Sequence, residues 1–470
     1  MSSVPLTLGW IARAVGGTLR DGNEDREAGS VVIDSRAVQP GDLFVALRGP
    51  RFDGHDFVGE VLGRGAAAAV VGRASAARRA GQEGSPYALI EVGDTLAALQ
   101  DLAHAVRREA GSRVIAITGS AGKTTTKETI AAFLDSRFQV VKNKGNLNNH
   151  IGLPLSLMQL RARPDVAVME LGMNHAGEIS TLVAIAEPDV RVWTNVGDAH
   201  LGFFASPDAI ADAKAEILEG ASPDTLLVCN ADDPRVMSRV GGFPGRTLTF
   251  GTAAEADIRA LDIDDRGIDG MRARVVTPGG QRVIETPLLG RGNLANVLAA
   301  MAVAVDAGVG LDEIAAAAAR LTPADRRGAV RRLRNGITLI DDSYNSSPAA
   351  LRRALEVVAR ESRPQRKVAI LGEMLELGDH APGLHAECGR AAAAAGLALL
   401  VAIGGPAARD LAEAAVSSGM PPDAVSYFEK SDDAIASVIG AVRPGDLILV
   451  KGSRGIRTDV VADRLAAEFA

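Results

Sequence analysis

One short segment constrains the fold of this chain more than any other. An apolar run at residues 114–118 leads into Gly119-Ser-Ala-Gly122-Lys123-Thr124, and a helix-forming sequence follows. Glycines let backbone N–H groups surround a phosphate, a helix N-terminus adds its positive end, the lysine reaches the β- and γ-phosphates, and the threonine hydroxyl can bind Mg²⁺. The segment therefore predicts a strand, a loop and a helix that bind a nucleotide through Gly119, Ser120, Ala121, Gly122, Lys123, Thr124 and Thr125.

The loop departs from the usual GxxxxGK[ST] spacing, because Ile117 stands where the first glycine would be. The alternative is a glycine-rich turn that precedes a helix by chance. Strand, loop, lysine and threonine occur in the expected order, which favours the nucleotide site.

The remaining pattern predicts an α/β protein of three domains. At about 100 to 200 residues per domain, a chain of 470 residues has room for three cores. Short β-like runs between Pro/Gly turns predict a small α/β domain at residues 1–108, and alternating apolar strands and helices predict a doubly wound parallel sheet at 109–322. After a charged joint at 321–328 the alternation restarts, which indicates a Rossmann-like domain at 323–470.

Composition excludes several classes of function. The net charge of −7 and the aromatic content of 3% argue against nucleic acid as a partner. No run of about 18 apolar residues could span a bilayer, and the N-terminus lacks the basic and apolar regions of a secretory signal, so we expect a cytoplasmic location. Cys229 and Cys388 lack the spacing of a zinc site and are expected to be buried thiols.

Polar residues follow two of the predicted parallel strands. Glu170 ends one strand, and Asn195, Asp198 and His200 follow another. Ligands of open parallel sheets lie beyond the carboxyl ends of the strands, and a carboxylate there suits Mg²⁺. A capping or ion-paired carboxylate is an equally weighted alternative for Glu170, and His200 taken alone favours a structural role.

Lys214 lies in an unusual place for a lysine. Residues 206–219 begin with Ser and Pro, the usual start of a helix, and Ile210, Ala213 and Ile217 form its apolar stripe. Lys214 falls inside that stripe, so its amine is expected to point toward the sheet, where a charged amine is costly. The alternative is a lysine whose amine reaches solvent at the edge of the stripe.

The chain resembles the Mur ligases along nearly its whole length. The resemblance rests on TGSAGKTTTKE, KGNLNNHIGLPLSL, ELGMNHAGEI, TNVGDAHLGFF, AKAEIL, GRGNLANVLAA, DDSYNSSP and LVKGSR. GNLNNHIG, ELGMNHAGEI and DDSYN are similar to the members that add D-alanyl-D-alanine to a UDP-N-acetylmuramoyl-tripeptide. The members that add diaminopimelate or lysine have DNPR and ExSSH-type motifs, which this chain lacks.

The resemblance implies a set of functional residues. Thr124 and Glu170 match Mg²⁺ ligands, His200 matches a histidine at a second metal, and Lys214 matches a lysine that becomes carbamylated. Asn296 matches an asparagine on the adenine side of the family's ATP site. Arg327 and Asp342 match residues of the C-terminal domain that close on ATP. Ser35 and Arg36 match the loop that binds UDP. The implied cofactors are ATP and two Mg²⁺ ions, and the implied reaction forms an amide through an acyl phosphate. A monomer is expected.

Three positions depart from the family pattern. Gly292-Asn293 stands where His-Asn is frequent, Ser346-Ser347 replaces Ala-Asn, and Glu373 replaces the Asp of GDM. Other amide ligases of the family, including folylpolyglutamate synthases, are the nearest alternatives. A P-loop NTPase used as a switch or motor is an alternative from another class, and it would need neither Lys214 nor a UDP-binding loop.

Overall fold

The fold, taken from a computed structural model, is described for residues 3–73, 87–199, 201–363 and 366–470. It contains three sheets that follow one another along the chain, as the sequence predicts. None of the described helices has the length and apolar character needed to cross a membrane.

The first sheet has five strands in the order β1-β5-β4-β3-β2. β1 pairs antiparallel with β5 and the remaining neighbours are parallel. The sequence pattern predicted β2, β3 and β4 but did not indicate β1 or β5. The elements are α1 (Leu8–Ala14), β1 (Thr18–Arg20), β2 (Val31–Val32), β3 (Leu43–Val45), α2 (Val58–Gly63), β4 (Ala68–Gly72), β5 (Leu89–Val92) and α3 (Thr95–Ala110).

The second sheet has nine strands in the order β14-β13-β12-β11-β10-β9-β6-β8-β7. Its strands are parallel from β7 to β12, whereas β13 and β14 add antiparallel strands at one edge. The alternating, turn-rich sequence of residues 257–285 predicts such antiparallel edge strands. The strands are β6 (Arg113–Thr118), β7 (Val140–Lys142), β8 (Val166–Glu170), β9 (Val190–Trp193), β10 (Leu226–Asn230), β11 (Arg246–Gly251), β12 (Ile258–Asp265), β13 (Met271–Thr277) and β14 (Gly280–Thr286).

The strands of this sheet are apolar on both faces because helices cover both. One hydrophobic core lies between one face of the sheet and the helices at residues 123–134 and 290–306. A second core lies on the opposite face and is continuous with the core of the first sheet. The helices are α4 (Lys123–Leu134), α5 (Gly152–Leu157), α6 (Glu178–Ala186), α7 (Pro207–Ala215), α8 (Pro234–Met237), α9 (Gly290–Asp306) and α10 (Leu311–Ala318).

The third sheet has six strands in the order β15-β16-β20-β17-β18-β19, all parallel except β15. The pattern predicted the four inner strands and missed β15 and β19. The elements are β15 (Ala329–Arg332), β16 (Thr338–Asp342), α11 (Pro348–Arg360), β17 (Lys367–Gly372), α12 (Ala381–Ala394), β18 (Leu399–Ile403), α13 (Pro406–Ser417), β19 (Val425–Phe428), α14 (Ser431–Ala441), β20 (Leu447–Lys451) and α15 (Asp459–Glu468).

The two cysteines are buried free thiols, as expected. Burial raises the pKa of Cys229 to about 12 and that of Cys388 to about 11. Both therefore remain protonated at neutral pH and behave as small apolar side chains.

Candidate active site

The loop between β6 and α4 has the geometry that its glycines predict. Gly119 and Gly122 both have positive φ angles, 149° and 86°. A Cβ atom on Gly119 would lie 1.9 Å from Thr194 Oγ1, and one on Gly122 would lie 2.2 Å from Asn296 Oδ1. Both positions therefore require glycine, because the backbone conformation and the available space exclude a side chain.

Asn195, just after β9, holds this loop in place. Its Oδ1 accepts a hydrogen bond from the Ala121 N–H at 2.9 Å, and its Nδ2 donates to the Ala121 carbonyl at 2.9 Å. Its own carbonyl accepts from the Ser120 N–H at 3.0 Å. The neighbouring strand thus positions the predicted phosphate loop.

Lys123 lies at the start of α4, and its amine folds back over the loop to donate to the Gly119 carbonyl at 2.7 Å. Burial lowers the pKa of Lys123, the nearby Glu170 carboxylate opposes that shift, and Arg327 adds to it. Lys123, Glu170 and Arg327, which precedes β15, line the same cavity.

Glu170 ends β8 and is 4% exposed. Its Oε2 accepts from the Thr124 hydroxyl at 2.7 Å, and its Oε1 accepts from Asn148 Nδ2 at 2.9 Å. The structure thus brings together the two residues that the resemblance assigns to Mg²⁺.

The donor set suits Mg²⁺ bound together with a phosphate. Within the described ranges, no three His, Cys, Asp or Glu side chains are grouped as metal ligands. Mg²⁺ is usually held by one or two carboxylates together with substrate phosphates and water. One buried carboxylate beside a threonine hydroxyl and a phosphate loop meets that requirement.

Lys214 lies in α7, as the helix pattern predicts. The Ser206 side chain caps the helix by accepting from the Ala209 N–H at 3.1 Å. Lys214 is only 1% exposed, so its amine is buried rather than at the edge of the stripe. Burial lowers the pKa of Lys214 well below its ordinary value, Lys123 lowers it further, and Glu216 opposes both.

Lys214 lies in the protein interior together with the apolar residues of α7. At neutral pH the lowered pKa favours the neutral, nucleophilic form of the amine. His200, the second residue expected at a metal, lies outside the described residues.

A cleft of about 640 Å³ separates the second sheet from the third. Its walls include Lys123, Thr124 and Glu170 on one side and Arg327 and Asp342 on the other. The described geometry therefore gathers most of the expected nucleotide and metal residues around one cavity.

Two arginines of the third domain flank one tyrosine at this cleft. The Arg327 guanidinium carbon lies 4.1 Å from the centre of the Tyr344 ring, and that of Arg454 lies 5.7 Å from it. Asp342 accepts from Lys451 Nζ at 2.7 Å. The resemblance indicated Arg327 and Asp342, whereas Tyr344, Lys451 and Arg454 were found only from the structure.

Asn296 is held at the other end of the phosphate loop. Its Oδ1 accepts from the Thr126 hydroxyl at 3.3 Å, and its Nδ2 donates to Asn293 Oδ1 at 3.1 Å. Asn293 in turn donates to the Leu289 carbonyl at 2.9 Å. Both asparagines line the cleft.

Ser35 and Arg36 lie in the first domain, and neither lines this cleft. They form a short 3₁₀ turn, Ser35–Ala37, which Asp34 caps through the Arg36 N–H at 3.0 Å. Arg36 also donates from Nε and Nη2 to the two carboxylate oxygens of Asp34, at 2.9 and 2.6 Å. This hydrogen-bonded pair lowers the pKa of Asp34 to about 2.

Asparagines of the segment 143–149 also contact Glu170, and the residue-level prediction did not include them. Asn148 contacts its carboxylate, and Asn143 contacts its main chain. The signal was present in the sequence KNKGNLNN, but asparagine is common in turns, and only the structure shows which strand end these amides contact.

Three family descriptions match the chain. "Mur ligase family, catalytic domain" matches residues 28–107, "Mur ligase middle domain" matches 117–304, and "Mur ligase, glutamate ligase domain" matches 326–454.

Individual relatives match over almost the whole length. The chain is 34% identical over 456 residues to the UDP-N-acetylmuramoyl-tripeptide–D-alanyl-D-alanine ligase of Bacillus subtilis (strain 168), covering 97% of each protein. A crystal structure of MurF from Acinetobacter baumannii superposes with a TM-score of 0.88 at 30% identity, over 99% of this chain and 100% of the other. MurF ligase from Thermotoga maritima in complex with ADP superposes with a TM-score of 0.81 at 30% identity, over 93% and 97%. The chain therefore belongs to the Mur ligase family.

Proposed function

We propose that the protein is an ATP-dependent ligase that joins D-alanyl-D-alanine to UDP-N-acetylmuramoyl-tripeptide. The observation that carries this proposal is a phosphate loop whose Lys123 and Thr124–Glu170 pair line one cleft, in a chain that also buries Lys214 in α7. A nucleotide switch needs the loop but has no use for such a buried lysine. The name of the Bacillus subtilis relative supports the choice of substrates.

The reaction forms an amide in two steps and needs no protein nucleophile. A terminal carboxylate oxygen of the tripeptide attacks the γ-phosphorus of ATP, and the bond from that phosphorus to ADP breaks, which leaves an acyl phosphate. The amine of the dipeptide then attacks the acyl carbon, loses a proton and displaces phosphate. The balanced products are the amide, ADP and phosphate.

The contribution of the chain is positioning and charge neutralisation. The backbone N–H groups of residues 119–125 hold the phosphates, and the Lys123 amine moves from the Gly119 carbonyl to the β- and γ-phosphate oxygens. Arg327 lines the cleft from the third domain and would contact the same phosphates. Domain contact across the cleft keeps water away from the acyl phosphate.

Mg²⁺ would supply charge neutralisation on the transferred phosphate, and we assign two ions to this site. Thr124 and Glu170 would hold one of them, because the Thr124 hydroxyl and a Glu170 carboxylate oxygen lie 2.7 Å apart. His200 and Lys214 would complete the set. An ammonium repels a cation, so Lys214 contributes only after a change in its chemistry.

That change is carbamylation by CO₂. The neutral Lys214 amine attacks the carbon of CO₂, forms an N–C bond and loses a proton, which gives an anionic carbamate. Burial lowers the pKa of this amine and so favours the neutral form that the step requires. The carbamate gives this buried position a negative charge, which can support a bound Mg²⁺ ion.

We assign the three ligands to three domains, at residues 1–108, 109–322 and 323–470. UDP binds the first domain at Ser35 and Arg36, ATP binds the second, and D-alanyl-D-alanine enters the cleft with the third. Asn296, Arg327 and Asp342 complete the nucleotide site. We also propose that the protein acts as a monomer in the cytoplasm, where ATP is available.

The experiment that tests this function is a phosphate-release assay with purified protein, ATP and Mg²⁺. Each UDP-muramoyl peptide is combined with D-alanyl-D-alanine, D-alanine, lysine or diaminopimelate, and Lys123→Ala serves as the inactive control. We expect release only with the tripeptide and D-alanyl-D-alanine together, with the pentapeptide product confirmed by mass spectrometry. Release without an amine acceptor would support a nucleotide switch instead.

A further inference from the structure

Arg353 of α11 packs against a position in α9 that has no side chain. A Cβ atom on Gly292 would lie 3.3 Å from Arg353 Cδ and 3.4 Å from its Nη1. The end of the arginine side chain therefore lies directly over the Gly292 backbone. This contact crosses from the third domain to the second.

Some hydrogen-bond donors of the Arg353 guanidinium are free to bind a ligand. Its Nε donates to the Ala349 carbonyl at 3.2 Å. Within the described part of the chain, neither Nη group has a hydrogen-bond or ion-pair partner. Burial lowers the pKa of Arg353 and the Glu356 carboxylate opposes that shift, so the cation is partly desolvated. Such a group gains more from a ligand than a fully hydrated arginine does.

The position of Arg353 identifies the part of the ligand that it faces. Arg353 lines the cleft together with Gly292, Asn293 and Asn296 at the start of α9. The proposed nucleotide site has Asn296 on the side of the base, and Arg353 lies over Gly292, one turn before Asn296 in the same helix. Arg353 therefore faces the part of the cleft where that site would hold the base.

We propose that Arg353 binds the purine ring of the nucleotide by stacking its planar guanidinium on the ring from the third domain. This inference rests on the proposed ATP site. Stacking on an aromatic face uses the plane of the guanidinium, and the Nη donors remain free to bond polar atoms at the edge of the ring. A side chain at Gly292 would crowd the guanidinium, because its Cβ atom would lie 3.4 Å from Arg353 Nη1.

Nucleotide binding to the whole protein tests the proposal. ADP and inorganic tripolyphosphate are titrated into the wild type, Arg353→Met and Arg353→Lys, with Mg²⁺ present throughout. Met keeps most of the aliphatic stem, and Lys keeps the charge without the plane. The control is Arg390→Ala, which removes an exposed arginine of α12 outside the cleft.

We expect Arg353→Met to weaken ADP binding about tenfold, to leave tripolyphosphate binding unchanged and to raise the KM for ATP more than it lowers kcat. Arg353→Lys should lose most of the same affinity, and Arg390→Ala none. Equal losses for ADP and tripolyphosphate would assign Arg353 to the phosphates and overturn the proposal. Unchanged ADP binding in both Arg353 variants would also overturn it.

Gly292→Ala tests the same contact without altering Arg353. The added methyl group should weaken ADP binding in the wild type and have no further effect in Arg353→Met. Equal effects in both backgrounds would mean that Gly292 acts independently of Arg353, against the proposal. Failure of the wild type to bind ADP would instead contradict the proposed function, so the two failures can be distinguished.

Discussion

The side-chain amide of Asn143 hydrogen-bonds both main-chain groups of Glu170, its N–H and its carbonyl. Asn143 Oδ1 accepts from the Glu170 N–H at 3.0 Å, and Asn143 Nδ2 donates to the Glu170 carbonyl at 3.2 Å. Asn143 immediately follows β7, whose last residue, Lys142, pairs with Val168 of β8. Where the main-chain pairing of β7 with β8 ends, the Asn143 side chain supplies the next two hydrogen bonds to β8. These bonds hold Glu170, the last residue of β8, in place.

We expect Asn143→Ala to loosen Glu170. Two buried main-chain groups lose their partner, so the free energy of unfolding should fall by about 2 kcal/mol. Because Glu170 then loses its fixed position beside Thr124, the Mg²⁺ concentration that gives half-maximal activity should rise several-fold. Urea unfolding and a Mg²⁺ titration of phosphate release measure the two effects.

Gln159→Ala provides the matched control for Asn143→Ala. Gln159 Nε2 donates to the Lys142 carbonyl at 3.3 Å and to the Ser156 carbonyl at 3.1 Å. Its loss removes an amide from the end of the same strand without altering a contact to Glu170. An equal change in the Mg²⁺ titration for both variants would contradict the role assigned to Asn143.

Lys214→Ala should inactivate the enzyme while leaving the fold intact. Short carboxylic acids that fit the space of the carbamate should partly restore activity, and removal of bicarbonate should lower wild-type activity. Turnover of Lys214→Ala with added formate or acetate measures the first effect, and turnover of the wild type with and without bicarbonate measures the second. Near-normal turnover of Lys214→Ala would remove this residue from the site.

Lys430→Ala controls for the loss of a lysine. Lys430 is exposed and precedes α14, away from the phosphate loop. The activity of Lys430→Ala should equal that of the wild type, and added formate or acetate should not change that activity. A gain with acid in this control would show that rescue is nonspecific.

The sequence pattern alone predicted those features of the fold that depend on the spacing of nearby residues. The strand, loop and helix around Lys123, the burial of Lys214 and the antiparallel edge strands follow from residue spacing, and the structure agrees with each. Short edge strands such as β1 and β19 were missed because three or four residues show too little alternation to stand out. Arg353 and Asn143 could not be found in this way, because each acts on a residue from a different part of the chain.

Gly202→Ala should disturb the contact between the second and third domains. The Gly202 N–H donates to the Glu376 carbonyl at 2.8 Å, and a Cβ atom on Gly202 would lie 2.7 Å from the Gly378 nitrogen. The methyl group must push the two loops apart, because the atoms that it meets belong to the backbone. We expect kcat to fall at least tenfold, while ADP binding to the second domain changes little.

Gly383→Ala makes the same chemical change in the third domain, where a Cβ atom would meet nothing within 4 Å. Gly383 lies in α12, and alanine favours a helix by about 1 kcal/mol over glycine, so this variant should be fully active and slightly more stable. Steady-state kinetics and thermal unfolding compare the two variants. Normal kcat in Gly202→Ala would show that the close contact has no part in turnover.

Glu361 links the third domain to the turn between β12 and β13, and its contribution to stability should depend on pH. Its Oε2 accepts from the Ile268 N–H at 3.3 Å, and its two oxygens accept from Arg363 at 2.8 and 2.6 Å. These bonds, chiefly those from Arg363, lower the pKa of Glu361 from 4.5 to about 2.

A carboxylate with a lowered pKa stabilises the folded state fully above its unfolded pKa, and that stability is lost as the pH falls through its folded pKa. Glu361→Gln should therefore lower the free energy of unfolding by about 1 to 2 kcal/mol at pH 7, a range reduced because Arg363 is half exposed.

Urea unfolding of the wild type and of Glu361→Gln at several pH values checks this prediction. The difference should be constant down to about pH 5 and then narrow between pH 4.5 and pH 2, the interval bounded by the two pKa values. A difference that stays constant down to pH 2 would mean that the charge of Glu361 contributes nothing to the link.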